Sequence, residues 1–148
     1  MKTSVIVFLM CIGTWFCQGQ NLKLTIKQGS DAPNYETEHF YLLELSNTGS
    51  VTTNATISIN NKECVNIKKI DQTDFASVSL EKNKQSKAQQ ITVQPGKSVE
   101  FLVKLSRPNN AKLNTWNCTE IVAMSKDGIA LSNAVTIESL IPNPNNNN

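Results

Sequence analysis

The chain has 148 residues, with 14 Lys and Arg against 12 Asp and Glu and a formal charge of +2. So even a balance lacks the electrostatic footprint of a nucleic-acid or anionic-membrane binder. Charged residues reach only 18%, and Ser, Thr, Asn and Gln supply the remaining polarity. Such a surface suits exposed strand faces better than helices, which favour Glu, Lys and Ala.

The first residues, Met1-Lys2, the apolar run Val5 to Ile12 and the small residues near Gly19 have the layout of a secretory leader. Cleavage is expected after Gly19, making residues 1–19 a signal peptide and placing the mature chain in the periplasm, at the cell surface or outside the cell. The apolar run is shorter than the roughly 20 residues a membrane-spanning helix needs, and no other stretch could cross. Bulky Thr14-Trp15-Phe16 argue against a lipid anchor on Cys17. Removing 19 of 148 residues leaves 129, enough for one domain, and with Lys2 gone the charge is 13 minus 12, or +1. Of the four cysteines, Cys11 and Cys17 leave with the leader. Cys64 and Cys118 are then expected to form one disulfide in an oxidising compartment, closing a long loop.

Leu22, Leu24 and Ile26 alternate with Lys23, Thr25 and Lys27, which predicts the first strand. Ser30 to Glu38 is polar and reads as a loop. The second strand is expected from His39 to Ser46, with apolar residues on both faces, as in a central strand. A tight turn at Asn47-Thr48-Gly49-Ser50 leads to the third, Thr52 to Asn60; Asn and Gly there tolerate positive φ. In that strand Ala55, Ile57 and Ile59 fall on one face, and Asn54, Thr56 and Ser58 on the other.

Ala76, Val78 and Leu80 predict a short strand, and Glu81 to Lys87 an exposed loop, with a short helix as the alternative. Ile91 and Val93 lead into Gln94-Pro95-Gly96-Lys97, a type II turn by its Pro-Gly centre. Val99, Phe101, Val103 and Leu105 mark the next strand, and Cys118 to Met124 another. Ser125-Lys126-Asp127-Gly128 reads as a hairpin turn. Ile129 to Leu140 returns along it, with a bend near Ser132-Asn133. Residues 141–148, rich in Asn and Pro, are expected to be disordered. The sum is an all-β domain over residues 20–140, with about eight or nine strands in a two-sheet, immunoglobulin-like Greek-key sandwich.

Asn47-Thr48-Gly49 after a strand, Pro95-Gly96-Lys97-Ser98 before another, and Asp127-Gly128 in a late hairpin occur here in that order. Together they resemble the immunoglobulin-like modules of bacterial surface and secreted proteins; fibronectin type III or PapD-like topologies would give much the same string. The resemblance covers Leu22 to Leu140. It implies a non-catalytic spacer, adhesion or attachment module and carries no fixed site residues. The disulfide departs from it.

Catalytic constellations are absent from the sequence. A Ser-His-Asp site would have to use His39, the sole histidine, which reads as starting a strand. Zinc lacks ligands once both cysteines are bridged. Asp71 and Asp74 could offer oxygens to calcium, but the spacing of a calcium-binding loop is missing. No metal or cofactor is expected. Lys82, Lys84 and Lys87 form a basic loop without the aromatics of a nucleic-acid site. Trp116, two residues from Cys118, reads either as core or as an exposed ring for a sugar or protein partner, with Tyr35 a further ligand candidate. Asn54-Ala55-Thr56 and Asn117-Cys118-Thr119 are sequons, making Asn54 and Asn117 glycosylation candidates. The expected function is a secreted, non-enzymatic module that binds protein, adheres or serves as a structural unit. Polysaccharide binding through Trp116 and Tyr35 is the alternative, and a small hydrolase a distant one.

Overall fold

A computed structural model describes residues 20–143. The expected leader and the Asn-rich residues 144–148 lie outside the described residues. The alternating segments form eight strands: β1 Leu22–Gln28, β2 Glu38–Asn47, β3 Thr53–Lys62, β4 Ala76–Glu81, β5 Gln90–Val93, β6 Ser98–Ser106, β7 Thr115–Met124 and β8 Val135–Ile141. A 3-10 turn at Lys69–Asp71 is the one helical element among the described residues, and no described helix is long and apolar enough to cross a membrane.

The strands pair antiparallel in two four-stranded sheets, in the orders β1-β2-β6-β4 and β5-β3-β7-β8. With β5 set aside, these are the A-B-E-D and C-F-G sheets of a constant-type immunoglobulin sandwich. Between them Leu22, Leu24, Leu43, Leu45, Phe101, Val103 and Leu105 of one sheet meet Ala55, Ile57, Ile91, Val93, Ile121, Ala123 and Ile137 of the other. Each larger side chain buried there contributes about 1.5–3 kcal/mol relative to exposure.

Four local expectations change. β2 and β3 lie in different sheets, so Asn47-Ser50 is an arch between layers. Neither Asn47 nor Gly49 has positive φ. Gly49 answers a shortage of space: a Cβ on it would sit 3.1 Å from the Asn21 Cβ and 3.2 Å from Asn47 Oδ1. β4 alternates as expected, but its Val78 and Leu80 pair with Lys104 and Leu102 on the outer face, while Ser79 points into the interior. β7 begins at Thr115, three residues before Cys118, because its first inward positions, Thr115, Asn117 and Thr119, are polar yet buried. Ile141 belongs to β8 and is buried, so the domain runs one residue past the expected boundary at 140.

The other turn chemistry is as read. Lys97 N–H donates to Gln94 O at 3.1 Å, and Gly96 has φ +65°, as a type II turn requires. Gly128, φ +79°, closes the β7–β8 hairpin with its N–H on Ser125 O. The chain then leaves the sheet at Ser132-Asn133 before re-entering as β8. The disulfide Cys64–Cys118 is present, with Cα atoms 5.3 Å apart. It ties the chain after β3 to β7 within one sheet, where immunoglobulin domains bridge two sheets.

One side chain joins most of these pieces. Asn47 is 2% exposed. Its Nδ2 donates to Val51 O (2.7 Å) and Val93 O (2.9 Å), and its Oδ1 accepts from Gly49 N–H (2.9 Å). Its backbone N–H donates to Lys97 O and its carbonyl accepts from Gly96 N–H, both at 2.9 Å.

Asn47→Ala should destabilise the domain by about 2–4 kcal/mol, because two carbonyls and an amide are left without partners. Asn47→Asp should cost more, since a carboxylate faces the two carbonyls that the amide nitrogen now satisfies; urea melts of the three proteins check the order. Cys64→Ser in the oxidised protein should cost about 4 kcal/mol by loop entropy, read in the same melts.

Candidate functional site

A four-stranded sheet has two edges, and each must be covered, blunted or left open. β1 is covered. Leu22 N–H donates to Leu131 O at 3.1 Å. The Asn133 amide imitates a neighbouring strand, accepting from Leu24 N–H and donating to Leu24 O, each at 3.0 Å. A register shift between Ile26 and Gln28 blunts the rest. The upper half of β4 is covered by the returning loop, with Glu81 N–H on Ser86 O (2.8 Å) and Ala88 N–H on Ser79 O (3.0 Å). β5 has four residues, and Pro95 follows closely. β8 differs: VTIESLI carries no Lys, Arg, Pro or Gly, and among the described residues no strand pairs with its outer edge.

Beside the lower half of β8 a cleft opens between the sheets. It exists because β1 ends at Gln28, opposite Leu42. The Glu38–Tyr41 portion of β2 therefore has no neighbour on that side, and the chain swings out through residues 29–37. The resulting cleft is ≈ 260 Å³, lined by Asn34 and Glu36 of the loop, His39 and Tyr41 of β2, Phe75, Arg107, Trp116 of β7 and Glu138–Ile141 of β8. Tyr41 Oη and Ser139 Oγ, 3.4 Å apart, link the two sheets within it.

The loop rim is held firmly. His39 is buried, with Nε2 3.2 Å from Glu36 O and Nδ1 3.0 Å from Ser30 Oγ. A carbonyl can only accept, so Nε2 carries the proton, and in the neutral ring Nδ1 accepts from the Ser30 hydroxyl. Ser30 Oγ in turn accepts from Ala32 N–H at 3.2 Å. Arg107 Nη2 donates to Tyr35 O at 2.8 Å, and its backbone N–H donates to Thr37 O at 3.0 Å. His39 thus clamps a loop with both ring nitrogens.

The sequence candidates separate here. Trp116, on the outward phase of β7 opposite Leu140, is half-buried and lines the cleft. Tyr35 is 64% exposed and stands outside the lining, although its neighbours Asn34 and Glu36 form part of it. Tyr41 and Glu138 carried no site signal in the sequence, and Glu36 read there as one of several scattered, solvated carboxylates. Arg107 had one signal, being the sole arginine. Asp71 Oδ1 lies 3.9 Å from Lys112 Nζ, and no group of three or more His, Cys, Asp or Glu among the described residues could hold a metal.

Asn117 is corrected as a glycosylation candidate. It is 1% exposed. Its Nδ2 donates to Asn61 Oδ1 (2.7 Å) and Thr73 O (3.0 Å), while its Oδ1 accepts from the Thr119 hydroxyl (2.7 Å). Asn61 also receives Phe75 N–H at 3.2 Å and donates to Phe75 O at 3.0 Å. The sequon is a buried polar lock.

A second groove, ≈ 370 Å³, lies on the outer face of the first sheet, with Phe40, Leu42 and Leu102 as floor and Asp31, Lys82 and Lys84 among its walls. Lys84 Nζ sits 4.1 Å from the Phe40 ring centroid, a cation–π contact. Lys82 pairs with Glu100, and this hydrogen bond, with the lysine's charge, holds the Glu100 carboxyl below the ordinary carboxylate range. Two charges of the basic loop are thus engaged with the protein's own surface.

No protein-family model matches the chain, and no curated protein matches it in sequence. Among solved structures, a FixG-related protein from Vibrio parahaemolyticus is similar, with a TM-score of 0.52 and 15% identity over 82% of this chain and 96% of that one. An apo PmoF2 PCuAC domain has a TM-score of 0.45 and 17% identity, over 84% of this chain and 91% of that one. An apo PCuAC domain from PmoF1 has 0.40 and 13%, over 84% and 92%. The first likeness speaks to the fold alone.

Trp116→Ala should cost about 2 kcal/mol, less than the 3–5 of a fully buried ring, because Trp116 is only half-buried; thermal melts check it. Lys82→Met should return the Glu100 carboxyl to the ordinary range, followed by its NMR titration. The sign is fixed by the lowered folded-state value. The pair's small contribution to stability is present above the unfolded value and is lost as pH falls through the folded one.

Proposed function

We propose that the protein is a secreted, non-enzymatic β-sandwich that binds an extended segment of a protein partner along the outer edge of β8. The observation that carries this reading is the contrast among the edges. The others are capped, shifted, short or half folded over, while alternate residues of the seven in β8 turn backbone groups outward beside a cleft that could receive side chains. Strand addition draws affinity from main-chain hydrogen bonds and specificity from such pockets. The firmly held rim keeps the ordering cost of binding low. A non-catalytic role accords with His39, whose ring nitrogens both serve the loop. The leader-like first residues support export.

One observation favours a second reading. Trp116 is partly exposed and lines the same cleft as Asn34, Glu36 and Arg107, and an aromatic residue in a cleft with polar groups suits a sugar.

The readings separate with peptides selected from a random library and with polysaccharides. Under strand addition, amides of Val135–Ile141 gain hydrogen-exchange protection on peptide binding, and N-methylating alternate peptide amides abolishes it. Of Glu138→Pro and Ser139→Pro, the one removing an outward N–H should keep the melting temperature and lose the peptide. Unimpaired binding by that folded variant would refute the β8 reading. A Trp116 fluorescence shift with polysaccharide but with no peptide would favour the sugar.

A further inference from the structure

We infer that Asn54 is an N-glycan acceptor and that, of the two sequons, it alone is compatible with the fold. The inference rests on the secretory leader and is independent of the β8 reading. Asn54 and Thr56 are both exposed on the outer face of β3, while Ala55 between them points into the core. Asn54 Oδ1 accepts from the Thr92 hydroxyl at 2.6 Å, and its Nδ2 makes no hydrogen bond among the described residues. Asn117 is the opposite case: both hydrogens of its Nδ2 are donated inside the protein. A sugar on that nitrogen would remove one donor and place a large polar group where 1% of the residue meets solvent.

The chemistry is ordinary transfer from a polyprenyl-diphosphate-linked oligosaccharide by a membrane transferase. The Asn54 amide nitrogen forms a bond to the sugar C1, and the bond from C1 to the phosphate oxygen breaks. Polyprenyl diphosphate leaves, and the amide proton passes to a base of the transferase. No oxidant or reductant enters.

The position has a physical consequence. Asn54 pairs with Thr92 of the short edge strand β5, so a glycan there overhangs that edge and hinders pairing with another chain. Thr56 lies opposite Met124 at one end of β7, while Trp116 is near the other. Asn54 lies two residues beyond Thr56, so the glycan and the cleft are separated by roughly 33 Å along the strands, and both can operate in one molecule.

The test is translation of the full chain, with its own first 19 residues, into microsomes, followed by protease protection and endoglycosidase digestion. One glycan is expected on the protected chain. It should be lost in Asn54→Gln and in Thr56→Ala and retained in Asn117→Gln, a readout that does not require the variants to fold. A protected but unmodified chain, or a glycan that survives Asn54→Gln, overturns the inference. An unprotected chain also overturns it, by removing the leader, and the protease result tells that failure apart while leaving the β8 reading untouched.

Discussion

The arch between the two sheets depends on one buried amide. Where β2 ends, the chain must cross from one layer to the other, and beyond Thr48, whose N–H still donates to Asn21 O, the backbone leaves the ladder. Asn47 replaces the ladder. Its side chain satisfies Val51 O, Val93 O and Gly49 N–H, and its backbone reaches the turn at Gly96 and Lys97. The N-T-G and P-G-K-S stretches, 48 residues apart from Asn47 to Pro95 in sequence, are therefore two halves of one contact. Asn is suited to this place because one side chain offers two donors and an acceptor. Gly49 is needed because Asn21 and the Asn47 oxygen close around it.

A second polar lock holds the other end of the sandwich. Asn117, Asn61, Thr119 and the backbone at Thr73 and Phe75 form a satisfied network, and the described residues contain no buried side-chain polar atom lacking a partner. Complete satisfaction matters because a buried amide with one bond missing costs more than the bond is worth when made. The disulfide joins the same region from outside, where Cys118 lies between Asn117 and Thr119. The segment from Cys64 to Phe75 is thus held by sulfur and by hydrogen bonds. That explains how it stays ordered while exposing Val65 and Ile70.

The sandwich itself was legible wherever apolar residues carried the period of two, as in β1, β3 and β6. It was obscured where the chemistry of a position and its orientation part company. In β7 the inward residues are Thr, Asn and Thr, so polarity hides the alternation. In β4 the apolar residues face out and form one wall of the outer surface with Leu102. The pairing of Cys64 with Cys118 needed only compartment and parity. The cleft was not legible, because it follows from β1 stopping short against β2. That register is a property of two strands and not of either one. Trp116 stood out through its neighbour Cys118, whereas Tyr41, Arg107 and Glu138 reach the same cleft from three separate elements.

Edge protection connects the fold to its use. A sandwich that closes every edge gains solubility and loses its means of pairing with another chain; one that closes none invites aggregation. Here Asn133 stands in for a strand beside Leu24, at the cost of breaking the run from Ile129 to Leu140 in two. That break places Ser132 in the interior, where its hydroxyl accepts from Ala123 N–H at 3.0 Å, and it lets β8 start afresh at Val135. The bend that covers β1 is therefore also what sets β8 apart as a separate, uncovered strand. Covering one edge and baring its neighbour are a single structural event.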